Sequence, residues 1–149
     1  MVASMKLLKP LITAAAIAAS AMPVLAKDCF APDARAQERA FSRAVTTEGG
    51  KTIWLGGQTG SPEKNFDGQV REIFAELDKT IKAVGGVGLT DMVTMTVFIT
   101  DVRNGDRLTE IRKEIFKNCF PASALITVTG LARPGLLLEI QGMAVVGAK

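Results

Sequence analysis

The ten residues Asp91-Met92-Val93-Thr94-Met95-Thr96-Val97-Phe98-Ile99-Thr100 decide the fold. In an extended chain Val93, Met95, Val97 and Ile99 fall on one side, and Met92, Thr94, Thr96 and Phe98 on the other. Such alternation, rich in Val and Thr, predicts a strand. Downstream, over residues 104–119, the period changes. Leu108, Ile111, Ile115 and Phe116 recur at helical spacing between Arg107, Arg112, Lys113 and Lys117, which predicts a helix with its basic residues in solvent. Upstream, residues 65–84 predict a longer helix. Phe66, Val70, Ile73, Phe74, Leu77, Ile81 and Val84 form one apolar stripe, and Arg71, Glu72, Glu76, Lys79 and Lys82 the opposite face. Gly85-Gly86 ends it, because Gly accepts the left-handed conformation that closes a helix.

Shorter apolar runs complete the pattern. Residues 41–47 and 51–57 predict two strands paired around a turn at Glu48-Gly49-Gly50, with Gly56-Gly57-Gln58 stopping the second. Residues 122–129 form a strand after Phe120-Pro121, and 136–146 form the last one after a turn at Arg133-Pro134-Gly135. Residues 27–40 read as a polar, Ala-rich arm in which Asp33 caps a short helical turn through Glu38. The order ββαβαββ predicts one α+β sandwich domain over residues 41–149, a mixed sheet with two helices packed on one face.

Residues 1–26 stand apart. Lys6 and Lys9 precede an apolar, Ala-rich run over 11–22, then Pro23 and the small-residue exit Val24-Leu25-Ala26. This is the order of a cleaved signal peptide, and the run is too short for a stable membrane anchor. The reading places the protein in the periplasm or outside the cell. Cleavage leaves 16 basic and 15 acidic residues, so the basicity of the whole chain is largely an address. A nearly neutral mature chain gives no basis for a nucleic-acid partner or for holding on to an anionic membrane.

The chain has no His and no Tyr. Imidazole-based catalysis is therefore excluded. Two Cys without His cannot make a four-ligand N/S zinc site, and neither a metal nor an organic cofactor is expected. Cys29 and Cys119 allow one disulfide in an oxidising compartment, which would staple the arm to the body; two unpaired thiols are the alternative.

The last strand holds a conflict. Glu139 and Gln141 share a face with Leu137, Met143 and Val145. A carboxylate there sits either in water at an edge or in a pocket or interface, where it can hold or deliver a proton. Gly56-Gly57-Gln58 can bring bare backbone close to a ligand, or be a plain turn. Ser123 has no general base near it in sequence and is a poor nucleophile.

Taken in order, Phe41-Ser42-Arg43-Ala44-Val45, Gly56-Gly57-Gln58, residues 92–101, Phe120-Pro121-Ala122 and Leu138-Glu139-Ile140 before Ala144-Val145 resemble the Rid/YjgF superfamily. The resemblance implies a chorismate-mutase-like fold and a homotrimer with small-molecule clefts between subunits, and in its best-known branch hydrolysis of enamines and imines. It implies Glu139 as the group that positions or deprotonates water. It also implies ligand contacts from Phe41, Arg43, Gly56, Gly57, Gln58, Thr109, Ser123 and Gln141. The chain departs from the deaminating members at several of these. Ser123 stands where they carry an Arg after the Pro-Ala pair, Phe41 where they carry a Tyr, Gly56 where they carry a Ser, and Thr109 near an Asn. Arg43 and Arg133 are the candidates to replace the missing cation. The resemblance thus leaves two functions open: a hydrolase with altered substrate choice, or a trimer that binds small molecules or serves a structural role without turnover. A nuclease activity has no support in a chain without His, a basic stripe or a metal cluster.

Overall fold

A computed structural model describes residues 27–147, so the segment read as an export signal lies outside the described residues. The elements in chain order are β1 (Asp28–Phe30), α1 (Ala34–Glu38), β2 (Ala44–Thr46), β3 (Lys51–Thr59), α2 (Phe66–Ala83), β4 (Met92–Ile99), α3 (Gly105–Phe116), β5 (Ala122–Thr127) and β6 (Leu138–Val146). Asn65 starts α2 by accepting the Gly68 N–H at 2.9 Å, and Gly85, at φ +98°, ends it. Val70, Ile73, Phe74, Leu77 and Ile81 are buried as the stripe requires, whereas Val84, at the frayed end, is exposed.

The main sheet has the order β3-β6-β4-β5. β6 runs antiparallel to both β3 and β4, and β5 runs parallel to β4, so the sheet is mixed as expected. The two helices cover one face. Met95, Val97 and Ile99 of β4 and Leu138, Ile140 and Ala144 of β6 join the helix stripes in a single core, with Phe74 and Phe116 meeting edge to face at 5.6 Å. The opposite face carries Trp54, Thr94, Thr96, Phe98, Glu139, Gln141 and Met143 and has no layer over it among the described residues; Trp54 is 79% exposed.

Three expectations need correction. The predicted hairpin over 41–57 does not form. The turn exists, with Gly49 and Gly50 at positive φ, but β2 pairs antiparallel with β1, Cys29 opposite Val45. The arm's strand, held by the Cys29–Cys119 bond, takes the edge that β3 was expected to take. Gly56-Gly57 does not stop β3 but bulges it: Leu55 pairs with Gly142 and Gln58 with Ile140, three steps against two. A second bulge lies between Met92 and Thr94 of β4, opposite Ala144 and Met143. It turns Met92 inward, so Met92 is wholly buried rather than facing away with Thr94.

The arm is a small β-α-β clip. Asp33 caps α1 as predicted, accepting the Ala36 N–H at 2.8 Å. The clip is pinned by the disulfide, by Lys27 Nζ donating to the Thr90 and Met92 carbonyls, and by Ser42 Oγ donating to the Phe120 carbonyl at 2.6 Å.

One buried amide ties the core together. Gln69 on α2 donates to the Lys64 and Gly135 carbonyls and accepts the Leu137 N–H at 2.9 Å. Gln69→Leu should cost about 2–4 kcal/mol, because it removes three bonds and strands buried backbone groups at the entry to β6. Urea unfolding checks this. An unchanged midpoint would show that water fills the place of the amide.

Candidate functional site

The residues singled out in the sequence divide between two places. The first lies on the uncovered face. At the β3 bulge Gly57 sits against Glu139, and a Cβ built on Gly57 would lie 1.9 Å from Glu139 Oε1. Only Gly lets the carboxylate rest there. Glu139 is half-buried between Thr59 of β3 and Phe98 of β4, and its carboxylate makes no hydrogen bond or ion pair among the described residues. The extra residue of a bulge leaves backbone groups outside the ladder. The bulge and an unengaged carboxylate therefore share one spot. Gln58 Nε2 reaches the Gly56 carbonyl at 3.4 Å. Gln141 lines a shallow groove next along the same face, with Trp54, Thr94, Thr96 and Met143.

The second place is a pocket of about 270 Å³ between the arm, α3 and β5, and it gathers Phe41, Thr109 and Ser123. Ser123 pairs laterally with the buried Met95, so it points to the helix side of the sheet. Thr109 Oγ1 donates back to the Gly105 carbonyl at 2.9 Å. Arg43 is turned away onto Asp33 at 2.8 Å, with its guanidinium 5.8 Å from the Phe41 ring centroid. Arg133 is exposed in the loop before β6. Neither lies in this pocket.

The cation beside Ser123 is Arg112, which the sequence reading had placed in solvent. Its Nη2 donates to Ser123 Oγ at 2.7 Å and to the Ala40 carbonyl. Its side chain is buried, and its pKa is brought down to about 10, chiefly by burial and then by the positive charge of Arg39. It stays protonated at neutral pH. The signal that would have found it is the spacing of Gly105, Leu108, Thr109, Arg112 and Phe116, an inward stripe at steps of three and four.

Within one chain, then, Glu139 with Gly57 and Ser123 with Arg112 lie on opposite faces of one sheet. The fold that carries them is seen in a crystal structure described as a protein of unknown function of the conserved Rid protein family, YyfB from Yersinia pestis. The TM-score is 0.71 at 21% identity, covering 80% of this chain and 98% of that one. The family model described as endoribonuclease L-PSP matches residues 31–146, and the chain belongs to this family, the Rid/YjgF superfamily. Among curated relatives it is 29% identical over 113 residues to human 2-iminobutanoate/2-iminopropanoate deaminase, spanning 72% of this chain and 80% of that protein. It is 30% identical over 107 residues to a RutC family protein of Aquifex aeolicus, spanning 68% and 82%. The likeness supports a RidA-like function.

Proposed function

We propose that the chain is an exported homotrimer that hydrolyses small imines or enamines in clefts between subunits, with Glu139 as the group that activates water. The observation that carries this reading is the Glu139 carboxylate, unengaged and seated over a bulge that only Gly57 can provide. Imine hydrolysis fits that equipment. The carboxylate takes a proton from water as the oxygen attacks the C=N carbon. The nitrogen is then protonated and leaves as ammonia, and a carbonyl remains. One water is consumed, one ammonia is released, and no electrons change hands. Backbone N–H groups at the bulge are suited to developing charge on the added oxygen.

The positions of the parts support such an assembly. A sheet face bearing Trp54, Phe98 and Met143 without cover is suited to contact with another copy of the chain. Such a contact lets the Glu139 face of one subunit close over the pocket of the next. The Cys29–Cys119 bond supports export, since structural disulfides persist in oxidising compartments. The name of the human relative supports imines as the substrate class.

Glu139→Gln tests the chemistry. Ammonia release from freshly generated imines should fall at least 100-fold, with little change in thermal midpoint because the carboxylate makes no bond in the fold. Gly57→Ala should give the same loss by pushing the carboxylate aside. Full turnover in both variants would sink the assignment of Glu139. Wild-type protein that binds ligand but releases no ammonia would instead favour a binding trimer, the reading that Phe41, which lacks a phenolic hydroxyl, and Ser123 invite.

A further inference from the structure

Arg112 is a charge without a counter-charge. It is 5% exposed, its Nε has no hydrogen-bond partner, and among the described residues no carboxylate lies within salt-bridge distance of its guanidinium. A buried cation held only by a carbonyl and a hydroxyl is costly to maintain. It also lines a pocket open enough to admit a small molecule. Two more guanidinium groups line the same pocket. Arg35 and Arg39 stand four residues apart at α1, on one side of the clip. Arg39 is paired with Asp106 at 2.5 Å, whereas Arg35 has no ion pair among the described residues. Asp106 offsets Arg39, and Asp33, which feels the charge of Arg35, is already paired with Arg43, so the pocket keeps a net positive charge from one cation buried beside Ser123 and one near the solvent rim. Phe41, Leu108 and Leu125 add apolar surface.

We infer that this pocket binds a small dicarboxylate, one carboxylate seated on the Arg112 guanidinium and the second reaching toward Arg35. Nη2 is taken by the Ala40 carbonyl and Ser123 and Nε is enclosed, which leaves Nη1, without a partner in the fold, to donate a charge-assisted hydrogen bond to a carboxylate. Two anchors a pocket's width apart select for two acidic groups rather than one. The inference rests on the reading of the protein as a small-molecule trimer and adds a substrate class to it. It does not depend on turnover.

The experiment is calorimetric binding to the oxidised, full-length mature protein, with 2-oxoglutarate and 2-oxopentanoate compared at equal ionic strength. The two probes share a carbon chain and differ in the second carboxylate. Inorganic phosphate is the third arm. 2-Oxoglutarate should bind at least 10-fold more tightly than 2-oxopentanoate. Arg112→Gln, which can still hydrogen-bond Ser123, should weaken both at least 30-fold. Arg35→Gln should remove the preference and leave 2-oxopentanoate unchanged. Equal affinities in the native protein would overturn the inference, as would tighter binding of phosphate or full affinity in Arg112→Gln. If Arg112→Gln fails to fold, the exposed Arg35→Gln still decides through the preference alone. Binding without hydrolysis in the native protein sinks only the proposed reaction, and hydrolysis without dicarboxylate preference sinks only this inference.

Discussion

Serine in place of both Cys29 and Cys119 is expected to lower the unfolding free energy by about 4 kcal/mol. The bond joins residues 90 positions apart, and its Cα atoms are 5.6 Å apart, an ordinary spacing for a bridge. Closing so long a loop removes much of the freedom of the unfolded chain, about 4–5 kcal/mol on the loop-entropy relation. The native contacts of the clip survive in part without the bond, through Ser42 on the Phe120 carbonyl and Lys27 on the Thr90 and Met92 carbonyls. The loss should therefore appear as a lower urea midpoint with a cooperative transition retained, and as a steeper slope, since the unbridged unfolded chain exposes more surface. Coincident curves for bridged and serine-substituted protein would contradict this.

Gly142→Ala is the second large effect, and it acts through the folded state. A Cβ at Gly142 would lie 2.2 Å from the Thr94 carbonyl oxygen and 3.2 Å from Met95 Cα. Both are backbone atoms of the neighbouring strand, so no rotamer change relieves the clash. Either β4 and β6 separate or the bulge at Met92–Thr94 is lost. Overpacking of this kind costs about 3 kcal/mol, which lowers the thermal midpoint of a domain this size by roughly 10 °C. Gly56→Ala is the internal control. Nothing lies within 4 Å of a Cβ there, so the midpoint should hold or rise slightly as the unfolded chain loses freedom. Equal effects at the two glycines would mean that the sheet is looser around β6 than its pairing implies.

Much of the fold was legible because burial leaves a periodic trace. The stripe from Val70 to Ile81 and the alternation from Thr94 to Ile99 each report a single neighbouring surface, and the structure supplies those surfaces. What escaped were the places where one residue changes the period. Val93 is such a residue: one extra position in β4 reverses Met92, and alternation cannot show it because Met is apolar on either side. β1 escaped for another reason. Three residues, Asp28–Phe30, are too few to carry a pattern, and their place is set by a bond to Cys119 rather than by hydrophobicity. The candidate site was half visible. Glu139 stood out as a charge on an apolar strand. Arg112 did not, since a basic residue on a helix with other basic residues reads as solvated until the stripe it belongs to is followed through Gly105 and Thr109. That Gln69 is buried was equally silent, because two of its three partners are backbone groups 66 and 68 residues away.

The placement of Glu139 and Arg112 on opposite sides of one sheet bears on symmetry. On the reading proposed above, each copy offers one surface to its neighbour and a different surface to the copy behind it. A two-fold pair, in which both members present the same patch, would leave half of each cleft unmade. A head-to-tail contact instead repeats until rotation brings the last copy back to the first, and the resulting ring has as many clefts as chains.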